Sequence, residues 1–439
     1  MSRVFRIVTI IILFTSCRSA KHSNFAPFSR IAEKYVKLGL TIGQFDPDFV
    51  DAYYGPDSLQ PAPQLKRSMP ADSLLNAVNL LLKEVSQFTT SATNKASIER
   101  AKWMQGQLLA FSRRIKITSG KVGDFDEESQ DLFGATAPRN SEGYFQDILK
   151  QLDSFLPGSG TTAAKAEALS KQFVIPKDKI DTVFKAAIAE ARQRTAQHFT
   201  LPAGETFTME YVTGKPWSGY NWYKGNFKSV IQINTDLPIN IERAIDLACH
   251  EGYPGHHVYN VLLEKNLYRD KVWVEMSLYP LFSPQSIIAE GSANYGIEMA
   301  FPGEEKNRFA KRVLFPLAGL DTAKADAYFK MLELKSKLNY ARNEAARGFL
   351  NGTFSEEEAL RWLTGYSLFS PAAATKSLNF IKKYRSYVIN YNYGQDMIRN
   401  YIENNGGGSG SEDKRWQLFG WLLSNAVTPN DLLANKNGR

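Results

Sequence analysis

The sequence predicts a mainly α-helical protein with a small β element. Apolar residues recur three and four positions apart over most of the chain, as in Ile31, Tyr35 and Leu38, and this spacing is typical of helices that pack on one face. Two short runs, Thr206 to Val212 and Phe227 to Asn234, are rich in β-branched residues and are the best strand candidates. The 439 residues suffice for a large core, and the 27 Phe and 20 Tyr suit both a core and a cleft.

Composition and charge exclude several classes of protein. With 43% hydrophobic and 22% charged residues, the chain is expected to be globular rather than disordered or membrane-embedded. The net charge is +8, but basic stretches such as Lys306 to Arg312 are interrupted by apolar residues. Such stretches are typical of solvated helix faces, so no nucleic-acid partner is expected.

Residues 1–16 have the pattern of a signal peptide. A positively charged start precedes the apolar run Ile7 to Phe14, which is too short to span a membrane. The following Cys17 ends a segment that resembles a bacterial lipobox, with cleavage before this residue and a lipid on its thiol. The alternative is plain secretion with an incidental cysteine. We expect an exported bacterial lipoprotein, anchored to the membrane only through its lipid and facing the periplasm.

The mature chain is expected to fold as one intertwined unit. Residues 17–27 are predicted to be a tether, residues 28–200 an N-terminal helical region, and residues 201–439 a catalytic helical region that contains the small β element. Lys177 to His198 is predicted to form one long amphipathic helix.

Three of the five histidines in the chain fall in the octapeptide His250 to His257. A helix that begins near Pro238 is expected to carry His250 and Glu251 at its far end. In the common zinc-protease motif, His-Glu-x-x-His, the two histidines lie four residues apart on one helix face. Position 254 is Pro, so that pairing is absent here.

A straight helix would hold the later histidines too far from His250. His256 would lie about 9 Å along the axis on the opposite side, and His257 about 10.5 Å along it on the same side. Because zinc ligands must approach within roughly 3.5 Å of one another, the backbone has to bend. Gly252, Pro254 and Gly255 permit a bulge or break. His256 needs the smaller distortion, but the choice between His256 and His257 stays open.

Glu290 is the candidate for a third metal ligand. It lies among small and apolar residues, where a carboxylate is costly to bury unless it is paired or bound to a metal. The alternatives are a surface-facing glutamate on a buried helix and, for the histidines, a capped helix junction without metal.

The pattern His-Glu-x-x-Pro-Gly-His-His, followed by a helix with Glu-Gly-x-Ala-x-Tyr, resembles the bacterial proteins grouped as domain of unknown function 885. Asp51 to Pro56 and Asn234 to Pro238 are also similar to segments of that family, which is placed with the gluzincin-like metallopeptidases. The resemblance implies a large helical, zincin-like metallopeptidase fold with a deep cleft, in which His250, Glu290 and either His256 or His257 bind zinc. It also implies that Glu251 is the general base.

A C-terminal segment of the family, near its cleft, corresponds here to Arg385 to Gln395, although the family's proline is absent. Tyr391, Tyr387 and Arg385 are therefore candidates for the donor that stabilises an oxyanion. Phe227 to Asn234 is expected to be an edge strand that aligns an extended peptide by main-chain hydrogen bonds.

The expected function is a zinc-dependent hydrolase that cleaves short peptides with metal-activated water. One alternative is a metal-dependent hydrolase of non-peptide amides or cell-wall peptides. A second is a non-catalytic metal-binding lipoprotein. The presence of Glu251 argues against the second alternative, because metal binding alone does not require it.

Overall fold

The structure, a computed structural model, describes residues 26–63 and 68–433. The predicted signal peptide and Cys17, the predicted lipidation site, lie outside these residues. No helix among the described residues is long and apolar enough to cross a membrane.

The described residues are mainly helical, which confirms the predicted fold class. The α-helices are α1 (Ala26–Gly43), α2 (Ala71–Ser91), α3 (Lys95–Thr118), α4 (Phe125–Phe133), α5 (Glu142–Phe155), α6 (Thr162–Ser170), α7 (Ile180–Ala196), α8 (Ile241–Leu247), α9 (His256–Leu263), α10 (Pro284–Ala300), α11 (Glu305–Phe309), α12 (Phe315–Ala318), α13 (Ala325–Lys337), α14 (Tyr340–Leu350), α15 (Glu356–Gly365), α16 (Pro371–Tyr384), α17 (Ile389–Ile402), α18 (Glu412–Leu423) and α19 (Pro429–Leu433). The long helix expected from Lys177 is shorter than predicted, because a 3-10 turn over Lys177–Lys179 precedes α7.

Five short strands complete the fold: β1 (Val50–Tyr53), β2 (Thr206–Val212), β3 (Gly219–Gly225), β4 (Lys228–Asn234) and β5 (Leu278–Pro280). In the three-stranded sheet, β4 pairs with β2 in parallel and with β3 antiparallel. The prediction of an edge strand over Phe227 to Asn234 is therefore wrong, because β4 is central. Its buried Ile231 and Ile233 pack into the core while its main chain pairs on both sides.

The N-terminal region contains a strand where only helix was expected. β1 pairs antiparallel with β5, which lies more than 220 residues later in the chain. Nearby, the buried guanidinium of Arg100 forms two hydrogen bonds to the buried carboxylate of Glu275. These contacts join the two predicted regions, and the hydrophobic core runs without interruption from Phe28 to Leu432.

The octapeptide lies at a break between two helices, as its glycines and proline predicted. α8 continues into a π-helical turn over Ala248–Gly252, and α9 begins at His256. A Cβ atom at Gly255 would lie 2.0 Å from the carbonyl oxygen of His250, so only glycine permits this close return of the chain. The break brings the start of α9 back over the end of the π turn.

Candidate metal centre

The break places His256 beside His250, and α10 brings Glu290 to the same point. The Nε2 atoms of the two histidines lie 3.2 Å apart. Oε2 of Glu290 lies 3.2 Å from Nε2 of His250 and 3.5 Å from Nε2 of His256. Among the described residues, these three side chains form a group whose ligand atoms lie close enough together to hold one metal ion.

The surroundings of the three atoms fit a metal ion. Nδ1 of His250 contacts Oδ1 of Asn294 at 2.9 Å, so the ring donates there and keeps the Nε2 lone pair for the cluster. Oε2 of Glu290 is buried and has no hydrogen-bond partner in the described part of the chain. Burial alone would raise the pKa of Glu290, but the adjacent His256 and His250 rings hold it well below its usual range. Two imidazoles and a carboxylate that face one point are a common set of three protein ligands for zinc.

His257 is not brought to the cluster. Its ring is fully buried, with Nδ1 2.8 Å from Oγ of Ser229 and Nε2 2.9 Å from Oε2 of Glu205. Glu205 also accepts a hydrogen bond of 2.7 Å from the hydroxyl of Tyr253. His257 thus connects the helix break to the sheet, and the geometry favours His256 in the choice that the sequence left open.

Glu251 lies next to the cluster, on the wall of a cleft of about 1530 Å³. Burial raises the pKa of Glu251 to about 7, against the opposing effect of His250. An ideal Cβ at Gly219 would lie 2.8 Å from Oε1 of Glu251, so β3 runs directly against this carboxylate. The amide of Asn221 donates to the carbonyl oxygen of Glu251 at 2.8 Å and holds its main chain in place.

The three candidate oxyanion donors occupy different positions. Tyr387 donates its hydroxyl to Oε1 of Glu290 at 2.8 Å, so it orients this carboxylate. Tyr391 lines the cleft, and its ring centre is 6.5 Å from that of His250. Arg385 points away and pairs with the buried Glu128 at 2.6 Å. The prediction of Arg385 as an oxyanion donor is therefore wrong, because its charge is already neutralised in a structural ion pair away from the cluster.

Asp51 and Asn294 lie at the site but were not identified from the sequence. Asp51, in β1, lines the cleft, accepts a hydrogen bond from the hydroxyl of Tyr220, and has a pKa raised to about 6 by burial. Asn294 follows Glu290 by four residues in α10, which places both on one face of the helix. That spacing was a usable signal for Asn294, whereas Asp51 reaches the site only through the pairing of β1 with β5.

Comparison with known proteins supports the fold alone. Neither the protein-family models nor the curated proteins gave a match, so the resemblance to domain of unknown function 885 stays a prediction. A predicted lipoprotein from Colwellia psychrerythraea has a similar structure, with 12% identity and a TM-score of 0.54 over 83% of this chain and 68% of that one.

Two further solved structures are more distant. A predicted lipoprotein of unknown function from Shewanella oneidensis is 14% identical, with a TM-score of 0.43 over 79% of this chain and 71% of that chain. Metallocarboxypeptidase 1 of Trypanosoma cruzi is 11% identical, with a TM-score of 0.42 over 94% of this chain and 95% of that chain. Likenesses of this size carry no argument about the present chain.

Proposed function

We propose that this protein is a zinc-dependent hydrolase that cleaves the amide bonds of short peptides. The observation that carries the proposal is the meeting of His250, His256 and Glu290 at one point on the wall of a large cleft, with Glu251 beside them. His250, His256 and Glu290 would hold the zinc ion and would leave it open to water or substrate from the cleft. When bound, zinc supplies a Lewis acid that makes water acidic near neutral pH and polarises a carbonyl group.

The residues of the chain supply the proton transfers and the orientation. Glu251 accepts the proton of the attacking water and later passes it to the leaving amine. Asn294 orients His250, and Tyr387 orients Glu290, so that both ligands keep a single geometry. Tyr391 is the remaining candidate for the donor that stabilises the developing oxyanion.

The free edge of β3 suits an extended peptide. The N–H group of Asn234 donates to the carbonyl oxygen of Ser218, so the alternate residues Gly219 and Asn221 direct their main-chain groups away from β4. Gly219 and Asn221 both line the cleft next to Glu251. A substrate strand added at this edge would pass its main chain in front of the metal ligands. In this role β3 replaces the strand expected from the sequence.

The proposed setting is an exported lipoprotein that is held at a membrane through Cys17 and takes short peptides as substrates. We propose no nucleic-acid partner, because the lysines and arginines of the cleft alternate with acidic residues such as Asp246 and Glu298.

A metal-reconstitution assay with a peptide mixture tests the function. The zinc-loaded protein is incubated with peptides of three to ten residues, and the products are identified by mass spectrometry. We expect cleavage that a chelator abolishes and added zinc restores. Glu251→Gln should keep one zinc per chain and lose about 1000-fold in kcat/KM, since general bases contribute about 10²–10⁴-fold.

The exposed Glu304, which lines the same cleft, provides the matched control, because Glu304→Gln removes a carboxylate that is not part of the group of His250, His256 and Glu290. Absence of cleavage by zinc-loaded protein would refute the proposed reaction. Full activity of Glu251→Gln with zinc bound would refute the role of Glu251.

A further inference from the structure

Arg342 is a half-buried cation of the cleft that has no anionic partner among the described residues. It lies in α14, and its guanidinium carbon is 4.7 Å from the ring centre of Phe380 and 5.9 Å from that of Tyr391. Its Nε is buried without a hydrogen-bond partner, and its side chain makes no ion pair with any residue that the structure describes. Burial lowers the pKa of Arg342, but a guanidinium stays protonated in proteins.

The other arginines that line the cleft are already paired. Arg243 contacts Asp246 at 3.5 Å, and Arg399 contacts Asp396 at 2.7 Å and also pairs with Glu298. Removing a charge from water is costly unless an opposite charge or hydrogen bonds offset the loss. The two aromatic rings orient the guanidinium of Arg342 and offset part of this cost, but they leave its hydrogen-bond donors free for an anion.

We propose that Arg342 binds the terminal α-carboxylate of the peptide substrate, so that the enzyme removes one or two residues from the C-terminus. This inference rests on the proposed hydrolase function and specifies its substrate. A planar guanidinium binds a carboxylate through two parallel hydrogen bonds, which also sets the orientation of the bound residue.

The position of Arg342 relative to the metal ligands limits the number of residues released. The ring centre of Tyr391 is close to both, 5.9 Å from the guanidinium carbon of Arg342 and 6.5 Å from the ring centre of His250, and these two distances set an upper limit on their separation. The guanidinium therefore lies within about 12 Å of the His250 ring, and one extended residue spans about 3.5 Å. A contact between a ring nitrogen and a metal takes about 2 Å of this distance, and a hydrogen bond to the guanidinium takes about 3 Å. The remaining distance of about 7 Å has room for one or two extended residues between the scissile bond and the terminal carboxylate.

The test compares peptides that differ only at the C-terminus. The wild-type, zinc-loaded protein is given one N-acetylated peptide as the free acid and as the amide. A third substrate is the amide with Glu as its last residue, which offers a side-chain carboxylate instead. We expect the free acid to be cleaved with a kcat/KM about 100-fold higher than either amide, and its products to lack one or two C-terminal residues.

Arg342→Met keeps an unbranched apolar stem and removes the guanidinium group with its charge. We expect it to lose the 100-fold preference for the free acid, mainly through KM, with its zinc content unchanged. Lys330→Met is the matched control, because Lys330 is an exposed cation of the same cleft. Its preference should equal that of wild type.

A binding measurement separates this inference from the proposed function. The free acid and the amide are titrated calorimetrically into Glu251→Gln and into the double variant that also carries Arg342→Met. Tighter binding of the free acid that disappears in the double variant supports the role of Arg342 even if no peptide is cleaved. Cleavage of acid and amide at equal rates, or internal cleavage far from the C-terminus, would overturn the inference and leave the hydrolase function intact. A preference for the Glu-ending amide equal to that for the free acid would also overturn it.

Discussion

Replacement of Glu205 by Gln tests how the break between α8 and α9 is held in place. The buried carboxylate of Glu205 accepts hydrogen bonds from Tyr253 at 2.7 Å and from Arg192 at 2.7 Å, and contacts His257 at 2.9 Å. Tyr253 and His257 flank the residues that turn the chain toward His256. Glu205→Gln keeps the shape of the side chain and removes the negative charge that these groups share.

The size of the effect follows from the pKa of Glu205. Burial alone would raise this pKa, but the hydrogen bonds from His257, Tyr253 and Arg192 lower it from 4.5 to about 2. Each pKa unit corresponds to about 1.4 kcal/mol, so the ionised form stabilises the fold by at most about 3 kcal/mol. Arg192 is half exposed and its contribution is screened by solvent, so we expect about 2 kcal/mol.

The pH dependence has a definite sign. Because the folded pKa is lower than the unfolded one, the stabilisation is fully present above about pH 4.5 and is lost as the pH falls toward 2. Urea unfolding of the metal-free protein at several values between pH 7 and pH 3 measures this difference. The gap in unfolding free energy between wild type and Glu205→Gln should be widest at pH 7 and should narrow below pH 4.5.

The neighbouring Glu210 supplies the control, since it lies in β2, which begins directly after Glu205, but is exposed and accepts a surface hydrogen bond from Gln232. Glu210→Gln should change the unfolding free energy by less than about 0.5 kcal/mol at every pH. If Glu205→Gln were no more destabilising than this control, or if its deficit were independent of pH, the carboxylate would not be what secures the break.

Two further predictions concern the site itself. Gly219→Ala would place a Cβ 2.8 Å from Oε1 of Glu251, so we expect a loss of about 100-fold in kcat/KM with the zinc content unchanged. Gly365→Ala is the control and should behave as wild type, because a Cβ there meets nothing within 4 Å. An unchanged rate for Gly219→Ala would show that Glu251 moves freely. His256→Ala should abolish zinc binding, measured by elemental analysis. His257→Ala should keep the metal and lower the unfolding free energy by about 1–3 kcal/mol. The reverse pattern would exchange the roles assigned to the two histidines.

The fold class and the centre of the site could be predicted because their signals are local. Helical spacing of apolar residues identified a mainly α protein, and the grouping of His250, Glu251 and His256 in one octapeptide indicated a metal site. Gly252, Pro254 and Gly255 correctly indicated the break between helices. The isolated Glu290 was found because a carboxylate in an apolar helix requires a partner.

The remaining features depend on contacts that no local pattern records. Seven consecutive residues of β3 carry mixed glycine, aromatic and polar side chains, so neither the strand nor its edge position was visible. His257 was not separable from His256, because its partners Ser229 and Glu205 lie about 30 and 50 residues away. In the sequence Arg342 is one basic residue among many, and only its lack of an ion pair among the described residues distinguishes it.

The pairing of β1 with β5 has a consequence for how the protein acquires its activity. Asp51 reaches the cleft only after a strand made early in synthesis finds one made more than 220 residues later. Contacts of such high sequence separation slow folding, because a long loop must close before they contribute any stability. Completion of the cleft should therefore be among the last events of folding, and a fragment that lacks either strand should not hold Asp51 at the cleft.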